Sequence, residues 1–132
     1  MSDASGERPT VLVVDDEDDL RDIMRRMLER RGFTTLVAGD VDQALAACRD
    51  HKGAIDVLVA DLNLPGTSGA EWTRAAGALC RDLRVVYISG LPKDMAVAKG
   101  WIDEGAVLVK KPFTSDTLIQ ALRAVLTSQP SH

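Results

Sequence analysis

Apolar residues fall into two alternating rhythms along this chain. Short β-branched and aliphatic runs at residues 10–14, 33–38, 57–60, 83–88 and 106–109 predict five strands. Between them, apolar residues recur at helical spacing. Leu20, Ile23, Met24, Met27 and Leu28 predict an amphipathic helix, with Arg25, Arg26, Glu29, Arg30 and Arg31 on its remaining surface and Gly32 at its end. Thr34 and Thr35 mark the second strand as an edge. Asp40, with Gln43 three residues on, caps a second helix whose inner stripe is Val41, Ala44, Leu45 and Cys48. Ser68 and Glu71 open a third, with Trp72, Ala75, Ala76 and Leu79 inward. A weaker fourth carries Met95, Ala98 and Ile102 and is interrupted by Gly100. The last covers residues 114–127, with Leu118, Ala121, Leu122 and Val125 turned to the core.

Strands that alternate with helices build a parallel sheet covered on both faces, an α/β fold with right-handed crossovers. The functional crevice of such a sheet lies beyond the C-terminal strand ends. Here that rim collects polar residues. Strand one runs into Asp15 and Asp16, and strand three into Asp61, followed by a loop with Asn63, Pro65, Gly66, Ser68 and Gly69. Strand four ends at Ser89-Gly90, and strand five at Lys111-Pro112-Phe113. Asp and Ser are common at strand ends, so one alone says little; three acids, a hydroxyl and a lysine on one rim form a site. Lys110 is one residue removed and should face the other way. Asp18 and Asp19, in the same acid run, read as a solvated helix start favoured by the helix dipole.

Composition narrows the setting. At 132 residues, the chain is expected to form one domain over residues 10–127, between tails at 1–9 and 128–132. With 45% hydrophobic and 27% charged residues, it can bury a core without disulfide or metal staples. Cys48 and Cys80, in different predicted helices and without metal-binding spacing, read as reduced thiols. His51, at the end of the second helix, reads as a surface residue. A net charge of −4 and the lack of a basic face argue against direct nucleic-acid contact. No signal peptide or membrane-length apolar run is present, so a cytoplasmic location is expected.

Three carboxylates with one lysine carry a formal charge of about −2, and their mutual repulsion calls for a divalent cation. All-oxygen ligation suits Mg²⁺ or Mn²⁺ better than zinc. A carboxylate in such a site can attack an electrophilic phosphorus, while the lysine and the serine hydroxyl meet phosphoryl oxygens.

Together, Val11-Leu12-Val13-Val14-Asp15-Asp16-Glu17, Asp61-x-x-x-Pro65-x-x-x-Gly69, Ser89-Gly90 and Lys111-Pro112-Phe113 resemble the receiver domain of two-component response regulators, over about residues 10–127. The resemblance implies a three-layer flavodoxin-like, doubly wound, five-stranded parallel sheet of order 2-1-3-4-5 with five helices. It implies Asp61 as phosphoacceptor, Asp16 as direct Mg²⁺ ligand, Asp15 as an acid holding the metal partly through water, and the Asn63 carbonyl as a further ligand beside Asp61. It implies Ser89 as the switch hydroxyl, Lys111 as the lysine that pairs with Asp61, and a cis peptide between Lys111 and Pro112. The implied partners are a histidine kinase or histidine phosphotransfer protein, then a downstream protein target or a second copy of the chain bound through helix four, strand five and helix five. Such a domain catalyses only its own phosphorylation and dephosphorylation.

Leu108 departs from that pattern, because a Tyr or Phe commonly stands three residues before the lysine and couples to the hydroxyl. The segment Gly105-Ala106-Val107 is also one residue shorter than the commonest form. Tyr87 and Trp101 are candidate substitutes, Trp101 more simply as a packing residue. No helix-turn-helix, catalytic or kinase module follows in this sequence, which fits a stand-alone regulator or the receiver of a hybrid histidine kinase. Two other readings fit less well. An aspartyl-nucleophile Mg²⁺-dependent phosphatase would carry Asp-x-Asp after its first strand. A receiver-like binding module that is not phosphorylated would lack one of the acids or the lysine.

Overall fold

The computed structural model of the protein describes residues 8–51, 54–65 and 71–127. Residues 1–7 and 128–132, Gly66, Ser68 and Gly69 lie outside the described residues, and with Ser68 so does the expected cap on Glu71. The elements alternate as expected: β1 (Thr10–Val14), α1 (Asp18–Arg30), β2 (Thr34–Ala38), α2 (Val41–Asp50), β3 (Val57–Asp61), α3 (Glu71–Leu79), β4 (Arg84–Ser89), α4 (Lys93–Ala98), β5 (Val107–Lys110) and α5 (Ser115–Thr127).

All five strands pair in parallel in the order β2-β1-β3-β4-β5, the flavodoxin-like arrangement. β2 is an edge, as its two threonines suggested. Strand alternation sends side chains to two separate cores. Val11, Val13, Val57, Val59, Val86, Ile88 and Val109 pack with α1 and α5 through Met24, Leu28, Leu118, Ile119, Leu122 and Val125. Leu12, Val14, Leu58, Ala60 and Tyr87 face the other way, against Ala44 and Cys48 of α2 and Trp72 and Ala76 of α3. The same two-residue period carries past the strand ends. Asp15, Asp61 and Lys111 continue the rows Val11-Val13, Val57-Val59 and Val107-Val109, which brings three charged side chains to one side of the rim.

Local signals operate where expected. The Asp40 carboxylate accepts from Gln43 N at 2.8 Å, and Gln43 Oε1 accepts from Gly39 N at 2.8 Å. Gly100, with φ +76°, ends α4 in a conformation open to glycine. His51 is exposed.

The helix stripes need three corrections. Ile23 is 47% exposed although it belongs to the periodic set of α1. At about 100° per residue, it lies roughly 120° from the centre of the Met24–Leu28 pair that meets the sheet. On α3, Thr73 is buried and Ala75 exposed; the Thr73 hydroxyl lies 3.0 Å from the Tyr87 hydroxyl, so the buried side of the helix includes a polar pair that an apolar stripe does not mark. On α4, Met95 and Ala98 are exposed and Ala96 is buried. That helix stops after six residues, so Ile102, though buried, belongs to the segment beyond it. Cys80 lies one residue past α3. No helix among the described residues is long and apolar enough to cross a membrane.

Candidate functional site

The rim residues converge as the strand order requires. β1 and β3 are neighbours, with Val14 opposite Ala60, so Asp15 and Asp61 leave the sheet side by side. Both are buried, at 0% and 3% exposure, whereas Asp16 is exposed. One oxygen from each of Asp15, Asp16 and Asp61 falls within 4.8 Å of the others. An octahedral Mg²⁺ with ligands near 2.1 Å spaces its oxygens about 3–4 Å apart, so this donor set fits a hard divalent cation with small adjustments.

Lys111 reaches across from β5. Its Nζ lies 3.2 Å from Asp61 Oδ2, 3.5 Å from Asp15 Oδ2 and 3.7 Å from Glu17 Oε1. Burial alone would lower the lysine pKa, but the charges of Asp61 and Asp15 outweigh it and hold the group above its ordinary value. Burial pushes the Asp15 carboxyl above the usual carboxylate value. The Glu17 amide opposes this, the Asp61 charge adds to it and Lys111 opposes it. The Lys111–Pro112 peptide is cis, as expected, and Lys110 is exposed.

The remaining oxygens are held by backbone. Asp61 Oδ1 accepts from Asn63 N at 2.9 Å, and Asp15 Oδ1 from Glu17 N at 2.8 Å. Ser89 is buried, one residue beyond Ile88, the partner of Asp61 in register. Its Oγ accepts from Leu91 N at 3.0 Å, and Lys111 N donates to the Ser89 carbonyl at 2.7 Å. The described geometry thus gathers Asp15, Asp16, Asp61 and Lys111, with Asn63 N and Ser89 at its border.

The profile of the family described as response regulator receiver domain matches residues 11–123. The chain belongs to this receiver family. Among curated relatives, the receiver is 34% identical over 117 residues to the C4-dicarboxylate transport transcriptional regulatory protein DctD of Rhizobium meliloti, covering 87% of this chain and 25% of that protein. It is 36% identical over 127 residues to the DNA-binding response regulator MtrA of Mycolicibacterium smegmatis, covering 90% and 51%. The chain therefore spans from a quarter to about half of the relatives it matches. A response regulator receiver protein of Sinorhizobium medicae superposes with a TM-score of 0.78 at 28% identity, covering 92% of this chain and 97% of that one. Receivers are signalling domains of two-component systems, paired with histidine kinases, so the fold and family expectations hold.

Two contacts at this site had no counterpart in the sequence reading. Glu17 approaches Lys111, and Arg21 donates to the Asp15 carbonyl at 2.9 Å. The i to i+6 reach from Arg21 to Asp15 matches neither a helical nor a strand period, so the sequence carries no signal for it. The aromatic question also acquires a geometry. Tyr87 stands opposite Leu108 in register, with its hydroxyl tied to Thr73. Trp101 is half-buried against the same core, with Lys99 Nζ 5.4 Å from its ring centroid.

Proposed function

We propose that this receiver takes a phosphoryl group onto Asp61 from the phosphohistidine of a histidine kinase or histidine phosphotransfer protein, in a Mg²⁺-dependent step. One observation carries the reading. Asp61 is almost fully buried, yet its carboxylate sits at the open rim, with Oδ1 on the Asn63 amide and Oδ2 on Lys111, beside two further acids. An Asp61 oxygen attacks phosphorus, the phosphorus–nitrogen bond breaks and the imidazole leaves. Bound Mg²⁺ supplies charge neutralisation to the phosphoryl oxygens, and Asp15, Asp16, Asp61 and the Asn63 carbonyl are the groups that would hold it; Mn²⁺ suits the same oxygens. Lys111 binds a second phosphoryl oxygen, and the Ser89 hydroxyl donates to another after leaving Leu91 N.

In this reading the domain spans residues 10–127 and works in the cytoplasm on itself alone. Its output passes to a protein target or a second copy through α4, β5 and α5. DNA contact, which the name of MtrA implies for that protein, is assigned here to regions outside the matched receiver, because the receiver's own charge is unfavourable for it. The complete acid and lysine set disfavours an unphosphorylated binding module, and the placement of Asp61 after β3 disfavours a phosphatase. Acetyl phosphate with Mg²⁺ should add one phosphoryl group to the intact chain, and Asp61→Asn should abolish it. Stoichiometric labelling of Asp61→Asn at the same rim refutes the assignment.

A further inference from the structure

We propose that Arg21 is a positioning residue of the metal site, holding the Asp15–Asp18 turn so that the Asp15 and Asp16 carboxylates stay turned toward Asp61. The inference rests on the Mg²⁺ reading above and adds a determinant outside the acids and the lysine. Asp15 is fully buried, and its polar groups have separate partners. Its N–H donates to the Ala38 carbonyl at 3.2 Å, Oδ1 takes Glu17 N, and Oδ2 faces Lys111. Its own carbonyl takes Arg21 Nη1 at 2.9 Å.

The other arm of the same guanidinium, Nη2, reaches Asp18 Oδ1 at 2.5 Å, and Arg21 N donates to the Glu17 carbonyl at 2.9 Å. One side chain therefore ties both ends of the turn that presents Asp16. Gly39, just past β2, leaves the room it needs: a Cβ there would stand 3.0 Å from Nη1 and 3.6 Å from Cζ of Arg21. Gly39 does not have the positive φ that would strain an alanine, so the glycine serves space at this position.

Charge and position make opposite demands here. As a cation near a divalent-metal site, Arg21 repels the metal, and its removal should tighten binding. As the residue that holds the turn, its removal should loosen binding, by about tenfold or more, as is usual for groups that orient metal ligands. The bond to the carbonyl of buried Asp15 favours the second effect; the pair with Asp18, 85% exposed, adds little.

Mg²⁺ titration calorimetry on the full chain, with metal-free melting curves alongside, separates them. Arg21→Ala should weaken Mg²⁺ binding by about tenfold, and Arg21→Lys, which keeps one donor, should recover part of the loss. Gly39→Ala alters no charge; its Cβ would stand 3.0 Å from Nη1, the flexible end of Arg21, so it should weaken binding in the same direction but by less. If Arg21→Ala does not fold, Arg21→Gln decides instead. Wild-type binding that Asp16→Asn abolishes, together with unchanged or tighter binding in a folded Arg21→Ala, or in Arg21→Gln where Arg21→Ala does not fold, overturns the role of Arg21 and leaves the metal reading intact. A wild-type chain that binds no Mg²⁺ overturns both.

Discussion

Neutralising Asp15 should make the metal-free receiver more stable and, at the same time, deprive it of most of the stability that Mg²⁺ confers. Asp15 and Asp61 present oxygens within 4.8 Å of each other. At an effective dielectric of about 20, that separation corresponds to a repulsion of at least about 3.5 kcal/mol. Lys111, 3.5 Å from Asp15, returns about 4.7 kcal/mol on the same scale. The two nearly cancel, and dehydration of a fully buried carboxylate adds a penalty of several kcal/mol. The balance opposes the charge, in the same direction as the raised pKa of Asp15.

Asp15→Asn keeps an oxygen for Glu17 N and leaves the Lys111–Asp61 contact in place. Its expected gain without metal is about 1–2 kcal/mol, roughly 3–8 °C in melting temperature for a domain of this size. Saturating Mg²⁺ at about 100 times its Kd stabilises the wild type by about 2.7 kcal/mol, and the variant by much less. The two proteins should therefore exchange rank between melts in chelator and melts in Mg²⁺, followed by circular dichroism. A variant that melts below the wild type in chelator, or gains the same increment from Mg²⁺, refutes this account of the acid pair.

Burial, and secondarily the neighbouring Cys80 thiol, push Cys48 from 9.0 up to about 12. Folding thus favours the protonated thiol: its contribution is complete below pH 9 and is lost as pH climbs toward about 12. The melting temperature of the wild type should fall faster than that of Cys48→Ala across this window, and parallel curves would contradict the buried-thiol assignment. Leu122→Ala, at a fully buried position between α5 and the sheet, should cost about 2–5 kcal/mol in urea unfolding. Ile23→Ser on the open side of α1 should change stability by less than about 1 kcal/mol, and a core-sized loss there would mean that α1 is rotated from its described position.

The sheet was legible because its signals are local and redundant. Each strand is a short apolar run ending in a polar residue, and the period of two then decides that Asp15, Asp61 and Lys111 share a side. The helix faces were less legible. A periodic stripe such as Leu20–Leu28 gives a direction within a wide arc, and only contact with the sheet selects Met24 and Leu28 over Ile23. Thr73 was missed because its partner is Tyr87, fourteen residues away on another element. The acids and lysine of the site were readable as strand-end residues. Arg21 and Glu17 were not, since their roles arise from side chains folding back onto a strand end, a geometry without periodicity. Leu108 reads the same in both descriptions, an aliphatic residue where an aromatic is common, and the structure supplies Tyr87 as its neighbour in register.

The shortness of α4 has a consequence for how a chemical event at the rim travels outward. This helix has six residues, below the length at which helices persist unaided. Among its residues only Ala96 is buried, with Val97 half-covered beside it. Withdrawing the Ala96 methyl and the covered half of Val97 forfeits about 2 kcal/mol of burial, less than detaching α5, which seats Leu118, Ile119, Leu122 and Val125. α4 is therefore the compliant member of a stiff frame, belonging to the low end of the local-unfolding spectrum. On the output face proposed above, a modest bias from the rim should therefore redistribute α4 without an aromatic side chain swinging at position 108, which hydrogen exchange of α4 against α5 would read.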